Sequence, residues 1–268
     1  MNTRHNLSVL MTAMIMGLRD GWSEKLVLLG TLMVYGVIIM LYAGVMRMIP
    51  PADIAPLGLT QSQMIWYIAT TEFILFAAPS WGFKDIQNEI NTEQVHLDII
   101  RPFSPALLRI AFWYGEAIVR FCVLFPFYIL TATYFAEAFE PSLLDLLGII
   151  ACAPLSLFMA LVMYYAVGTS CLWVVQSEPA YWVVHKGIFL LGAMIWPIVF
   201  YPDWLGAISW FTPFPAILAV CGKWVLGSSA LELGAAFAHQ VVWAVLILYA
   251  LMKFERIVLR RIQGEGAA

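Results

Sequence analysis

Apolar residues fill this chain in long blocks, and most polar positions fall between them. Nearly unbroken apolar stretches cover residues 26–46, 63–82, 107–135, 143–175, 183–201 and 233–254. A run of about 18 or more residues with few charges reads as a membrane-crossing helix, which satisfies its own backbone polar groups and offers apolar side chains to lipid. The pattern predicts six such helices. The third and fourth stretches exceed the ~20 residues a span needs. They must tilt, bend at Pro126 and Pro154, or extend beyond the bilayer.

Ahead of these blocks, Leu7, Leu10, Met11, Met14, Ile15 and Leu18 repeat at helical spacing, with Ser8 and Thr12 off the stripe. Arg4 and His5 before them suit a secretory leader, but Arg19, Asp20 and Gly21 stand where a small-residue cleavage site would be. An amphipathic helix over residues 1–24, lying at the membrane interface, fits better. Between the fifth and sixth spans, Tyr201 to Glu232 is apolar yet broken by Pro202, Pro213 and Pro215. Two readings stay open there. The stretch dips into the membrane as short helices whose backbone groups need protein partners, or it is an interfacial loop anchored by Trp204, Trp210 and Trp224.

Composition agrees with the pattern. Hydrophobic residues make up 62% of the 268 and charged residues 12%, against about half and a quarter in soluble domains. The fold class is an all-α integral membrane protein forming one transmembrane domain. The net charge of −3 carries little information, and the scattered Lys and Arg form no nucleic-acid surface. Their sidedness is informative. With the N-terminus inside, Arg4, Arg19, Lys25, Lys84, Arg101, Arg109, Lys186, Lys253, Arg256, Arg260 and Arg261 face the cytoplasm, eleven against Arg47 and Lys223 outside. The positive-inside rule then puts both termini in the cytoplasm.

Catalytic and metal signals are scarce. Cys122, Cys152, Cys171 and Cys221 lack CxxC spacing and read as small apolar core residues. His5, His96, His185 and His239 show no ligand spacing, Gly222-Lys223 is not a phosphate loop, and no GxSxG occurs. Neither a catalytic residue nor a metal or cofactor site of this chain's own is expected. Three ionisable residues do fall within spans: Glu72, Glu116 and Arg120. A charge at mid-bilayer is costly and invites a functional reading. Glu116 and Arg120 are four apart and can pair on one helix face, whereas Glu72 has no partner nearby in sequence.

The polar segment between the second and third spans is the most informative. Residues 84–101 predict an amphipathic helix, with Ile86, Ile90, Leu97 and Ile100 on one side. Asp85, Glu89 and Glu93 form an acidic ridge at i, i+4 and i+8, and Pro102 and Pro105 stop the helix. An acidic ridge is repelled by anionic lipid, so it suits a protein partner, or simply solvent.

The run IQNEINTEQVHLDIIRPFSP resembles the segment that follows the second span in bacterial type-2 ATP-binding-cassette (ABC-2) transporter permeases. Ile90, Val95, Ile99 or Ile100, Arg101 and Pro102 match that family's pattern, and Glu93 stands where it carries glycine. The resemblance implies an exporter permease of the cytoplasmic membrane whose coupling helix is residues 84–101. Asp85, Glu89, Ile90, Glu93, Val95, Arg101 and Pro102 would then face an ATPase subunit, which holds the ATP and magnesium. It also implies a second permease chain, identical or related, and a substrate path lined by spans one, two and five. The Met- and aromatic-rich spans suit an amphipathic or lipid-like substrate. A stand-alone membrane enzyme or lipid-modifying protein is the alternative class.

Overall fold

The computed structural model describes residues 3–92, 94, 103–137 and 141–264, with side chains from residue 7 onward. All regular structure among them is helical. The principal helices are α1 (Thr3–Ser23), α2 (Lys25–Met48), α3 (Gln61–Ala77), α4 (Phe83–Asn91), α5 (Pro105–Ala136), α6 (Leu143–Thr169), α7 (Glu178–Leu191), α8 (Asp203–Trp210) and α9 (Ala230–Ile262). Single turns over Pro51–Ile54, Phe214–Ile217 and Ala219–Lys223 fill the connections. Four helices are long and apolar enough to cross a membrane: α2, α5, α6 with its following turn to Leu172, and α9.

Helix α3 is the centre of the bundle. Every residue from Met64 to Leu75 is buried, which explains why its apolar residues have no preferred face: a helix surrounded on all sides needs none. It packs against α2, α5, α6 and the Ala219–Lys223 turn. Aromatic rings fill the joints. Trp66 meets Tyr128 edge-on at 5.6 Å, and Phe73 stacks on Tyr128 at 5.0 Å. Helix α1 lies along α5 at very close range. A Cβ on Gly17 would come within 1.9 Å of the Phe112 carbonyl oxygen, and one on Gly115 within 2.1 Å of the Met14 oxygen. Leu7, Met11 and Ile15, on the stripe expected to meet lipid, are exposed.

Three helices start with reciprocal capping boxes: Thr60 with Gln63 for α3, Ser142 with Asp145 for α6, and Ser229 with Glu232 for α9. Each satisfies two backbone groups that a helix start otherwise leaves bare. At the opposite end, Glu255 of α9 accepts from the Ala106 amide at 3.1 Å and from the Ser104 hydroxyl, closing the start of α5.

Some expected boundaries shift. The helix expected over 143–175 ends at Thr169, and the one expected over 183–201 begins at Glu178 and stops at Leu191. There Gly192 is followed by Ala193 in the left-handed region, φ 56°, and by Pro197. A non-glycine residue holds such a backbone only where its surroundings enforce it. Two side chains of α3 do so. Tyr67 donates its hydroxyl to the Ala193 carbonyl, and Thr71 Oγ1 donates to the Met194 carbonyl at 2.6 Å. The Tyr201 to Glu232 stretch folds as α8 and three short turns, Phe214–Ile217, Ala219–Lys223 and Trp224–Leu226, before α9 begins, with residues 215–222 buried against the bundle. Its backbone is partnered from α9: Gln240 Nε2, fully buried, lies 2.9 Å from the Ala216 carbonyl and 2.9 Å from Ser156 Oγ. Cys152 and Cys221 are buried as expected, while Cys122 is exposed because its place on α5 faces outward.

Candidate functional site

A cavity of about 990 Å³ opens between α1, α2, α3, α4, α5 and α7. The sequence puts its lining residues far apart, and the helix packing assembles them. Asp20 comes from the end of α1, Glu24 from its junction with α2, Asp85 and Glu89 from α4, Glu116 from α5 and Glu72 from α3. Arg109, Arg120 and Lys186 supply the opposing charge. Tyr42, Phe76, Trp182 and Phe189 give it aromatic walls.

The three residues predicted within spans all line this cavity, but not as a single cluster. Glu72 is 3% exposed. Its neighbours are engaged: the hydroxyls of Thr70 and Tyr128 share a hydrogen bond at 2.9 Å, and Thr71 holds the Met194 carbonyl. Glu72 has no hydrogen bond or ion pair among the described residues. Glu116 and Arg120 do share a helix face and lie within electrostatic reach. They make no ion contact within 4.0 Å among the described residues, which corrects the expected pair. The pair that does form is Arg109 of α5 with Glu89 of α4, the guanidinium donating to both carboxylate oxygens. Its side chains are 24% and 28% exposed.

That contact also corrects the acidic ridge. Asp85 is exposed, whereas Glu89 turns toward the chain's own Arg109 on the first turns of α5. Burial pushes the Asp85 carboxyl up from its ordinary range, Arg109 pulls it down, and Asp20 pushes it up. Ile90 is half-buried. Glu93, Val95, Arg101 and Pro102 lie outside the described residues, as does most of the segment that carries the sequence resemblance.

Helix α4 is held on three sides. Phe83 and Ile86 are buried, and Ile86 packs where Gly168 of α6 has no side chain: a Cβ there would lie 2.9 Å from the Ile86 Cβ. Phe83 stacks on Tyr181 of α7 at 4.7 Å. Gln87 Oε1 accepts from the Ser177 amide at 2.7 Å, and the Ser177 hydroxyl donates to the Gly168 carbonyl at 3.0 Å. A displacement of α4 therefore acts on α5, α6 and α7 together. Sequence reasoning missed Gln87, Ser177, Tyr181 and Gly168. Only their contacts distinguish them, and the amphipathic spacing of 84–101 identified the helix without identifying its sockets.

The arrangement is that of a multi-pass membrane protein with a solvent-open, charged and aromatic cavity beside a short peripheral helix keyed into the bundle. Residues 57–266 match the family described as ABC-2 family transporter protein. The chain belongs to that family and is an ABC-2 type permease, the membrane component of an ABC transporter. No curated protein matches its sequence.

Proposed function

We propose that this permease is the transmembrane subunit of an ABC exporter, driven by ATP hydrolysed on a separate ATPase subunit that docks on α4. The observation that carries the reading is the seating of α4 against α5, α6 and α7 beside the cavity. A push on this helix reaches three walls of the bundle at once. Asp85, exposed on α4, is the described acidic group best placed to meet a basic socket on the ATPase.

The membrane arrangement follows from the same elements. Besides the four long helices, α3 and α7 serve as spans two and five, giving six. At 1.5 Å per residue they are about 25 and 21 Å long, so the thickness they leave is completed by the outer turns packed around them. The eleven-to-two distribution of basic residues supports cytoplasmic termini in a bacterial inner membrane. The exposed apolar side chains of α2 and α7, among them Val37, Leu41, Val183 and Leu190, are where a second permease chain closes the path. The cavity's aromatic walls suit an amphipathic or lipid-like substrate.

The test is co-purification with the ATPase, followed by ATPase assay of the complex in lipid nanodiscs. Stimulation by amphipathic molecules is expected. Failure to recruit an ATPase, or stimulation by small polar solutes alone, overturns the reading. An Asp85→Lys substitution is expected to weaken recruitment while the permease still inserts.

A further inference from the structure

The cavity has a charge imbalance that its own residues do not resolve. Six carboxylates, three Lys or Arg side chains and His185 line it. Arg109 is taken by Glu89, Arg120 lies beside Glu116, and Lys186 Nζ sits over the rings of Trp182 and Phe189, 5.5 and 5.2 Å from their centroids. Among the described residues, none of the three makes a hydrogen bond or ion pair with Glu72. A carboxylate this deeply buried and without a partner is costly to keep inside a bundle. It lines a cavity rather than packed core, so a mobile partner can reach it.

A second feature favours positive charge at the same place. Helix α7 stops at Leu191 inside the bundle, and Phe189 and Met194 on either side of the break line the cavity with Glu72. Thr71, adjacent to Glu72, bonds the Met194 carbonyl at the break. The negative end of the α7 dipole therefore lies at the depth of the Glu72 carboxylate, an arrangement that broken membrane helices use to hold cations. Aromatic faces add to the effect, since Tyr42 and Phe76 line the cavity with it, and ring faces attract cations. The volume of about 990 Å³ exceeds what a bare metal ion needs and suits a bulky organic molecule.

We infer that the cavity binds an organic cation carried on an apolar body, with Glu72 as its counter-charge. This rests on the permease reading and narrows its substrate class. The positive group is supplied by a free amphiphilic amine or by the ammonium headgroup of a lipid.

The test compares two probes of matched size and opposite charge. The full-length permease in phosphatidylglycerol nanodiscs is titrated with tetraphenylphosphonium and with tetraphenylborate, and protein-free nanodiscs give the lipid partition to subtract. Glu72→Gln is expected to weaken tetraphenylphosphonium binding at least about tenfold and to leave tetraphenylborate binding undiminished. Glu72→Asp, which keeps the charge, is expected to retain most of the cation preference. Equal losses for both probes, or no loss for the cation, overturn the inference. Should the Gln variant fail to insert, the wild-type protein is labelled with a hydrophobic carbodiimide, and modification of Glu72 is read by mass spectrometry. Protection by tetraphenylphosphonium but not tetraphenylborate supports the site, and absence of protection overturns it.

Adding phosphatidylethanolamine to the nanodiscs separates the two sources. Displacement of the cation identifies a lipid headgroup as occupant, and its retention identifies a free amphiphile. The binding arm needs no ATPase. A wild-type protein that recruits the ATPase normally but shows no preference for the cation therefore sinks this inference alone, and failed recruitment with intact cation binding sinks the transporter reading alone.

Discussion

The contact between Arg109 and Glu89 makes a quantitative prediction about how firmly α4 is held. Exposed ion pairs contribute about 0.2–1 kcal/mol, and hydrogen bonds to charged groups about 1.5–3 kcal/mol. With side chains 24% and 28% exposed, this pair belongs between those limits, at about 1–2 kcal/mol. The helix keeps its other anchors, Phe83, Ile86 and Gln87, so it is expected to stay docked but to open more often. A loss of about 1–2 kcal/mol corresponds to roughly 5–30 times more opening. Amide hydrogen exchange across Phe83–Asn91, measured on the permease in nanodiscs, reads this directly. Arg109→Gln and Glu89→Gln should each accelerate exchange in α4 by about that factor and leave α9 unchanged. The double variant should add little to either single one, because the cycle isolates the pair. If the single variants exchange like wild type, or their effects simply add, the pair does not hold α4 and the proposed coupling route through α5 fails.

Three further outcomes follow from the packing. Gly17→Ala and Gly115→Ala each push a Cβ into backbone atoms of the facing helix, and overpacking of this kind costs about 1–3 kcal/mol. A lower thermal unfolding midpoint and faster exchange in α1 are expected, and an unchanged midpoint would refute the close approach of α1 to α5. Gln240→Leu removes the hydrogen bonds that tie α9 to Ser156 and Ala216, and a buried polar group left without its partner costs about 1–3 kcal/mol. Thermal melts should show the loss, and a stabilised variant would show that the network is dispensable. For Asp85, burial raises the carboxyl, so the folded state holds its proton more tightly and loses stability as pH rises from the ordinary carboxylate range through the raised value. Asp85→Asn should therefore protect α4 better than wild type above that window and equally below it, as read by exchange at two pH values.

Much of the architecture is legible in the amino-acid order because lipid imposes a simple requirement on it. Backbone groups must be satisfied locally and side chains must be apolar, so the apolar blocks mark α2, α5, α6 and α9 directly. The proline-broken outer stretch and the amphipathic start of 84–101 are equally readable. Helix lengths are less so. Gly192 and Pro197 are local stop signals within 183–201, but the hydroxyls that support the break belong to Tyr67 and Thr71 on α3.

The same division runs through the site. Sequence alone determined that Glu72, Glu116 and Arg120 are charges in an apolar setting, and that a polar helix interrupts the spans. It also suggested one pairing, Glu116 with Arg120, and an acidic ridge on α4 free to meet a partner or solvent. The ion pair that tertiary structure forms instead joins Glu89 of the ridge to Arg109, because helices distant along the chain bring their charges closer than one helical turn does. Spacing within a helix fixes which residues can share a face. Only the packing of α3 against α2, α5 and α6 decided that Glu72 would be buried, open to a cavity and, among the described residues, without a hydrogen-bond or ion-pair partner.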